Sequence, residues 1–243
     1  MSTLKLENIK HENSSTNNMV MDSDGSVSIT GKLTVQNDQD ITGTIVHNPS
    51  GSGNKYLSLN TSSSGDGHIL FKRAGTNKYQ ISSDTNGHLF TWSYAKNGTA
   101  FRINADGSVI TPYQPAFLAY GSASYVNRGF GVPIEYSSTT YNEGNHYSTS
   151  TYRFTAPHAG LYHFAAGAIA HVTSTGSGGI MICHNGGNTS RSYQETGSRS
   201  RNCSITLKLA ANDLVDVRIE GGGGADYYYL SGGYGYFSGF LVG

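Results

Sequence analysis

The chain has 243 residues, of which 13% are charged, and its 16 basic and 16 acidic residues give a formal net charge of zero. Nucleic-acid-binding and anionic-membrane-binding proteins need clustered positive charge, so this balance argues against both kinds of partner. No window has the ~20 apolar residues of a membrane helix, and residues 1–18 have no apolar core of secretory type. We therefore expect a soluble protein made in a cytoplasm.

The composition favours an all-β fold. The chain contains 32 glycines and 17 tyrosines but one tryptophan. Glycine supplies the dihedral angles of tight turns, and tyrosine is enriched in strands. Residues that favour helices are scarce. We therefore predict short strands joined by tight turns.

Residues 1–32 are polar, with scattered apolar positions at Leu4, Leu6, Ile9, Met19 and Met21. So few apolar side chains cannot bury a core of their own. Two interpretations stay open, an anchor that becomes ordered on a partner surface and a disordered leader. We predict an attachment segment.

Residues 33–111 carry turn signals at regular intervals. The pairs Asp66-Gly67, Asn86-Gly87 and Asp106-Gly107 lie twenty residues apart, and such pairs favour two-residue hairpin turns. The runs KYLSLN, HILFKR, KYQIS, HLFTWSY and AFRIN lie between turns and predict a meander of strands of about six residues.

A thin meander exposes both of its faces and its edges. It therefore either packs on itself as a small sandwich or is covered by partner chains. The tetrapeptide DGSV occurs at 24–27 and at 106–109, each time before an isoleucine-containing strand. The two copies are either related units of an elongated stalk or a chance match.

Longer and more apolar strands begin near Pro112. Val215, Val217 and Ile219 alternate with polar residues, and the same alternation relates Ile205, Leu207 and Leu209. This pattern is typical of half-buried strands in a sandwich. Three acidic residues lie in the strand that contains Val215 or just before it, and we expect them to be exposed to solvent: Asp213, Asp216 and Glu220.

The last strand has two apolar faces. Phe237, Gly239 and Leu241 alternate with Ser238, Phe240 and Val242. One face would be covered by the core of the domain. We expect a neighbouring subunit to cover the other.

The segments YRFTAPHAGLYHF, LKLAANDLVDVRIEGGGG and YFSGFLVG together resemble the complement C1q-like domain of the C1q/tumour necrosis factor superfamily. The resemblance covers 112–243 and implies a ten-stranded antiparallel jelly roll that assembles as a homotrimer. It also implies that the matching residues build the core and the trimer axis and are not catalytic. These residues are Phe154, Pro157, Gly160, Tyr162, Phe164, Phe237, Gly239 and Phe240.

The N-terminal half is similar to segments of bacteriophage tail fibres and other virion proteins. The resemblance rests on residues 5–35 and on FRINADGSV at 101–109. It implies that residues 1–32 bind other virion proteins, that 33–111 form a stalk, and that 112–243 form the jelly roll. The expected location is the surface of a virion.

No enzymatic motif is found. The sequence has no GxSxG nucleophile motif, and GSGNK at 51–55 lacks the strand-to-helix context of a phosphate loop. His158 and His163 lack the third and fourth donors of a metal site, and few carboxylates are available for calcium. We expect a protein that is not an enzyme and that binds neither a metal nor a cofactor.

The order of strands predicts which loops lie at the end of the jelly roll far from the stalk: 121–130, 156–160, 185–202 and 221–236. Tyrosine among glycine and serine is well suited to recognising surfaces, including sugar rings. The candidate receptor-binding residues are Tyr227, Tyr228, Tyr229, Tyr234, Arg191, Tyr193, Arg199 and Arg201. Alternatively, the tyrosines line the trimer axis or close the end of the barrel, and the arginines belong to a solvated loop.

The leading hypothesis is a homotrimeric phage tail fibre or spike whose distal domain adheres to a glycan or protein receptor on the host. Two alternatives stay open, a capsid-attached head fibre or decoration protein and a secreted C1q-like lectin. The two cysteines, Cys183 and Cys203, are too few for a disulfide framework. The resemblance places them on different sheets, and we expect thiols.

Overall fold

The structure is a computed structural model of the chain. It describes residues 8–9, 19–21, 27–29, 65–121, 126–128, 130–170, 178–194, 200–221, 226–230 and 233–243. These residues form strands and turns without a helix, in agreement with the all-β prediction. Within them, no helix has the length and apolar character needed to cross a membrane. The chain divides into two compact units, 1–57 and 58–243.

In the first unit, the described residues form three short antiparallel strands. These are β1 (Asn8–Ile9), β2 (Met19–Met21) and β3 (Val27–Ile29), which pair in chain order. The proposed role of residues 1–32 in attachment stays a prediction.

The second unit begins with a five-stranded antiparallel meander, called the small sheet here. Its strands pair in chain order and are β4 (Gly67–Arg73), β5 (Thr76–Ser83), β6 (Leu89–Ser93), β7 (Gly98–Ile103) and β8 (Val109–Ile110). Turns are present at Asn86-Gly87 and Asp106-Gly107, and Gly87 and Gly107 adopt the positive φ angles of 79° and 85° that favour glycine. Their hairpin loops are longer than the predicted two residues, because the amides of Asp84 and Asn104 close them by donating to the carbonyls of His88 and Ser108. The predicted strand KYLSLN lies outside the described residues.

Two further sheets follow. Their strands are β9 (Ala116–Tyr120), β10 (Val126–Arg128), β11 (Ser138–Glu143), β12 (Tyr147–Ser148), β13 (Arg153–Thr155), β14 (Gly160–Ala170), β15 (Gly178–His184), β16 (Gly187–Gln194), β17 (Ser200–Leu209), β18 (Leu214–Gly221), β19 (Asp226–Tyr229) and β20 (Tyr236–Leu241). The seven-stranded sheet has the order β10-β19-β14-β20-β9-β11, and β17 pairs along the other edge of β14. The five-stranded sheet has the order β12-β13-β18-β15-β16.

All strand pairs in these two sheets are antiparallel, as predicted. The described residues give more strands than the ten expected. Part of the excess comes from short segments, since β10 and β13 have three residues each and β12 has two.

Aromatic rings fill the space between the two sheets. Phe117 stacks on Tyr147 and Phe154 at centroid distances of 4.8 and 5.2 Å and meets Phe237 edge-on at 4.9 Å. Tyr147 also donates a hydrogen bond from its hydroxyl to the carbonyl of Tyr136 at 2.9 Å. Because the hydroxyl has this partner, the ring can be buried without a desolvation penalty.

The motif residues of the sequence analysis divide between this core and the surface. Phe154, Tyr162, Phe164 and Phe237 are fully buried, whereas Phe240 is exposed. Gly239 is buried beneath two rings, and a Cβ there would lie 2.5 Å from Phe164. The remaining two, Pro157 and Gly160, flank the bend between β13 and β14.

The sandwich has two ends, which we call near and far. At the near end, β9 and β14 begin and β17 and β20 end. At the far end, β17 and β20 begin and β9 and β14 end. In the five-stranded sheet, β15 begins and β18 ends at the far end, where the Tyr228 hydroxyl donates to the Gly179 carbonyl at 2.9 Å.

Two of the four predicted far-end loops are corrected. Residues 156–160 lie at the near end, where the Ala156 amide donates to Asp213 and the Leu161 amide to Gly243, at 2.9 and 2.7 Å. In 185–202, Asn185 and Gly186 form a near-end hairpin turn into β16, a strand that the sequence analysis had not recognised. Each additional strand reverses the chain, so unrecognised strands change which loops share an end.

The small sheet adjoins the near end. The Tyr113 hydroxyl donates to the Lys96 carbonyl at 3.4 Å and lies where a Cβ on Gly98 would project. The Gln114 side-chain amide donates to the Leu241 carbonyl at 2.5 Å. These contacts fix the short connection between β8 and β9 against the small sheet on one side and the last strand on the other.

Candidate interaction surfaces

The outer face of the seven-stranded sheet carries exposed apolar side chains. Register places His163 between Phe240 and Thr206, and places Leu118 beside Tyr141. The exposed apolar members of this outer face are Tyr120, Tyr141, Leu161, Phe240 and Val242. Contiguous apolar patches of this kind are uncommon on monomers and mark interaction sites.

The last strand shows why this face differs from the core face. In β20, Phe237 is 0% exposed and Phe240 is 48% exposed. Both are phenylalanine, but successive side chains of a strand point to opposite sides of the sheet. In the structure, one apolar face of β20 therefore lies inside the sandwich and the other is open to solvent. This is the arrangement that the sequence pattern predicts for a single chain without its neighbouring subunit.

Among the described residues, three aromatic side chains at the far end are exposed. Tyr120 is the last residue of β9, and Tyr234 lies two residues before β20 and is 52% exposed. Phe130 is 64% exposed and precedes Gly131, whose amide donates to Ile219 near the end of β18 at 3.2 Å. Large aromatic side chains with exposed faces are common in protein and glycan recognition sites.

A family model with the description "C1q domain" matches residues 116–242, just over half of the chain. The chain belongs to the C1q domain family. C1q domains are often trimeric binding modules and are generally not enzymes.

Solved structures with a similar fold include the globular domain of zebrafish complement 1qA protein. It is 19% identical to this chain, the match covers 54% of this chain and 98% of that chain, and the TM-score is 0.42. Eiger TNF from S. frugiperda has 12% identity, coverage of 54% and 93%, and a TM-score of 0.44. Murine APRIL has 12% identity, coverage of 53% and 99%, and a TM-score of 0.41. No curated protein matches the chain.

Three of the predicted receptor-binding residues lie within paired strands of the C1q domain and not in loops. Tyr228 is buried, because β19 pairs with the end of β14 and turns this ring into the sandwich. Arg201 is buried at the start of β17. Arg191 lies in the middle of β16 and forms an ion pair with Glu220, close to the far-end terminus of β18. Burial argues against receptor contact by Tyr228 and Arg201, whereas the role of Arg191, whose side chain is exposed, stays a prediction.

Of the other candidates, Tyr234 lies at the far end. Arg199 and the side chains of Tyr193, Tyr227 and Tyr229 lie outside the described residues, so their proposed role stays a prediction. The sequence analysis did not single out Phe130 as a candidate. Its signal is the local sequence RGFGV, in which one large apolar residue stands between two glycines.

The carboxylates of the C1q domain hold its loops and strands together. Asp216 was expected to be exposed but is buried, because Arg153 and Arg218 close over it at 2.9 and 2.7 Å. Asp213 joins two near-end turns by accepting hydrogen bonds from Asn185 and from the Ala210 amide, both at 2.8 Å. These bonds lower the pKa of Asp213 to about 2.

The described residues contain no group of three or more histidine, cysteine, aspartate or glutamate side chains that could hold a metal ion. Within the described residues, both cysteines are free thiols, Cys183 on the five-stranded sheet and Cys203 on the seven-stranded sheet. Burial raises the pKa of Cys183 to about 11 and that of Cys203 to about 12. Thiols with such pKa values are weak nucleophiles at neutral pH.

Proposed function

We propose that three copies of this chain form an adhesion protein on the surface of a bacteriophage particle, with the far end of each C1q domain directed at a host receptor. The observation that carries the proposal is the exposed outer face around Phe240 and Val242. This face continues to Tyr141 and Leu161, and three copies meeting there would remove its apolar side chains from water.

The arrangement of the ends gives the proposed trimer a direction. The small sheet joins the C1q domain at the near end through Tyr113 and Gln114. The far end is thus the end of the C1q domain away from this connection, and Phe130 and Tyr234 are exposed there. We assign receptor contact to these two residues, and the tyrosines at 227 and 229 stay candidates.

The assignment to a virion is supported by the similarity of the N-terminal segments to phage fibre proteins, and residues 1–32 would bind the particle. A protein or glycan on the host surface would be the partner of the far end. Aromatic faces flanked by hydroxyl groups suit a glycan, because sugar rings stack on them and donate hydrogen bonds.

The first experiment measures oligomeric state and adsorption separately. Light scattering of the purified chain is expected to give three times the mass of one chain, and a monomer would overturn the proposal. Particles that carry Phe130→Ala with Tyr234→Ala are expected to assemble normally and to adsorb to host cells at least ten-fold more slowly. The matched control is Leu214→Ala, an exposed near-end residue, and equal adsorption by both variants would contradict the far-end assignment.

A second experiment tests attachment. Chemical cross-linking of intact particles is expected to join residues 1–32 to a tail component. Cross-links to the major capsid protein would instead favour a head fibre. Free trimer outside any particle would contradict a virion role.

A further inference from the structure

The small sheet has one face that carries uncharged side chains, most of them exposed. Pairing across the strands places Ile69, Ile81, Thr91 and Phe101 in one row. A second row contains Leu89, Ile103 and Val109, and a third contains Phe71 and Tyr79. We call these three rows the small-sheet face.

Seven apolar residues of this face are between 37% and 57% exposed: Ile69, Phe71, Tyr79, Ile81, Leu89, Phe101 and Val109. On the opposite face Leu70, Phe90 and Trp92 are half-buried. A patch of this extent is larger than the isolated apolar residues that are normal on a monomer. The small-sheet face therefore requires a partner surface.

The connection to the C1q domain indicates which partner is available. Five residues, 111–115, separate β8 from β9, and even when extended they span at most about 18 Å. The hydrogen bonds of Tyr113 and Gln114 hold this connection against both neighbours. When three C1q domains associate, three small sheets are thus brought together at an effective concentration of millimolar order or higher.

We propose that the small-sheet face is a second interface between copies of this chain, in which the three small sheets pack their apolar rows around the axis of the proposed trimer. This inference rests on the trimer of the proposed function and extends it to the stalk. Like apolar surfaces without charge can pack on one another without burying an unpaired ion. The interface also covers a sheet that has no second layer among the described residues.

The test uses thiol labelling of the full chain. Ile81→Cys places a thiol in the centre of the small-sheet face, and Lys78→Cys places one on the same strand with an exposed side chain outside the three rows. A bulky maleimide is the probe, and the native thiols give little background because the pKa of each is raised. Both substitutions are at exposed positions, so neither creates a cavity in the core.

In the trimer, the thiol at residue 81 is expected to react at least ten-fold more slowly than the thiol at 78, and mild oxidation is expected to give disulfide-linked dimers of Ile81→Cys only. Equal labelling rates in a protein that light scattering shows to be trimeric would overturn this inference and leave the proposed function intact. A monomer would overturn both. Protection of residue 81 in a monomer would show that its own chain covers the face, which also contradicts the second interface.

Discussion

On the outer face of the seven-stranded sheet, the rings of His163 and Phe240 lie 5.5 Å apart, centroid to centroid. The same histidine places Nδ1 at 3.0 Å from the Thr206 hydroxyl. The imidazole, held by Thr206, therefore packs against one side of the exposed phenylalanine ring and restricts its motion. Less conformational entropy is then lost when this ring binds a partner surface.

The substitution Phe240→Asp tests this surface. Because Phe240 is half-exposed in one chain, aspartate there should leave the fold intact, but its charge would be buried without a partner in a trimer. We expect the midpoint of the dissociation curve, measured by light scattering, to move to at least ten-fold higher protein concentration. Phe130→Asp is the control, and equal effects of the two substitutions would exclude the outer face as the interface.

The substitution Phe237→Ala tests the other face of the same strand. Phe237 is fully buried and packs against Phe117 and Phe164. Removing such a ring leaves a cavity and is expected to lower the free energy of unfolding by about 3–5 kcal/mol. Denaturant unfolding measures this free energy. If Phe237→Ala lowered the free energy of unfolding by less than Phe240→Ala does, the assignment of the two faces would be the wrong way round.

The substitution Asp216→Asn tests the buried ion pairs. The hydrogen bonds from Arg218 to Asp216 raise the pKa of the guanidinium, and Arg153 donates a third bond at 2.9 Å. Loss of the central charge leaves two arginines without an anion, and we expect the free energy of unfolding to fall by about 3 kcal/mol. Asp106→Asn, at an exposed turn, should cost much less, and similar losses would argue against the network.

The pKa of Asp213 predicts a dependence of stability on pH. Its pKa is about 2 in the folded chain, below the ordinary value of 3.8 that the side chain has when it is unfolded. Because the folded-state pKa is the lower one, the carboxylate stabilises the fold above pH 3.8, and this contribution is lost as the pH falls towards 2. Asp213→Asn is expected to flatten the thermal stability curve across this interval, whereas a variant curve parallel to that of the unmodified chain would contradict the prediction.

The thiols give a further prediction. With pKa values of about 11 and 12, Cys183 and Cys203 are ionised to roughly one part in a thousand or less at pH 8. Cys183 is also buried and Cys203 is half-buried, which limits the access of reagents to both. We expect mass spectrometry to find no alkylation of the native protein within an hour and two modifications after unfolding, and rapid modification of the native protein would contradict their burial.

Local signals in the sequence were sufficient for much of this fold. Asn86-Gly87 and Asp106-Gly107 could be recognised as turns because the backbone angles that these residues favour are set locally, within about four residues. The alternation of Val215, Val217 and Ile219 identified a core strand because the period of a strand is two. The aromatic motif around Phe154 could be placed in the core through its resemblance to a known family.

Long-range relationships could not be obtained in this way. Asp216 looks like a solvent-exposed carboxylate until Arg153, 63 residues earlier, is placed over it. Tyr228 stands in a glycine-rich segment without alternation, so no pattern indicates which of its neighbours points inward. The far-end loops depended on counting strands, and the unrecognised strand β16 was enough to misplace the turn at Asn185 and Gly186.

The last residue described, Gly243, accepts a hydrogen bond from the Leu161 amide at 2.7 Å, at the near end of the C1q domain. A fluorescent protein or affinity tag joined after Gly243 would therefore emerge beside Gly160, on the side of the connection to the small sheet. Such a fusion leaves Phe130 and Tyr234 unobstructed. Labelled versions of this chain can thus be engineered by fusion at Gly243 without masking the surface proposed to meet a cell.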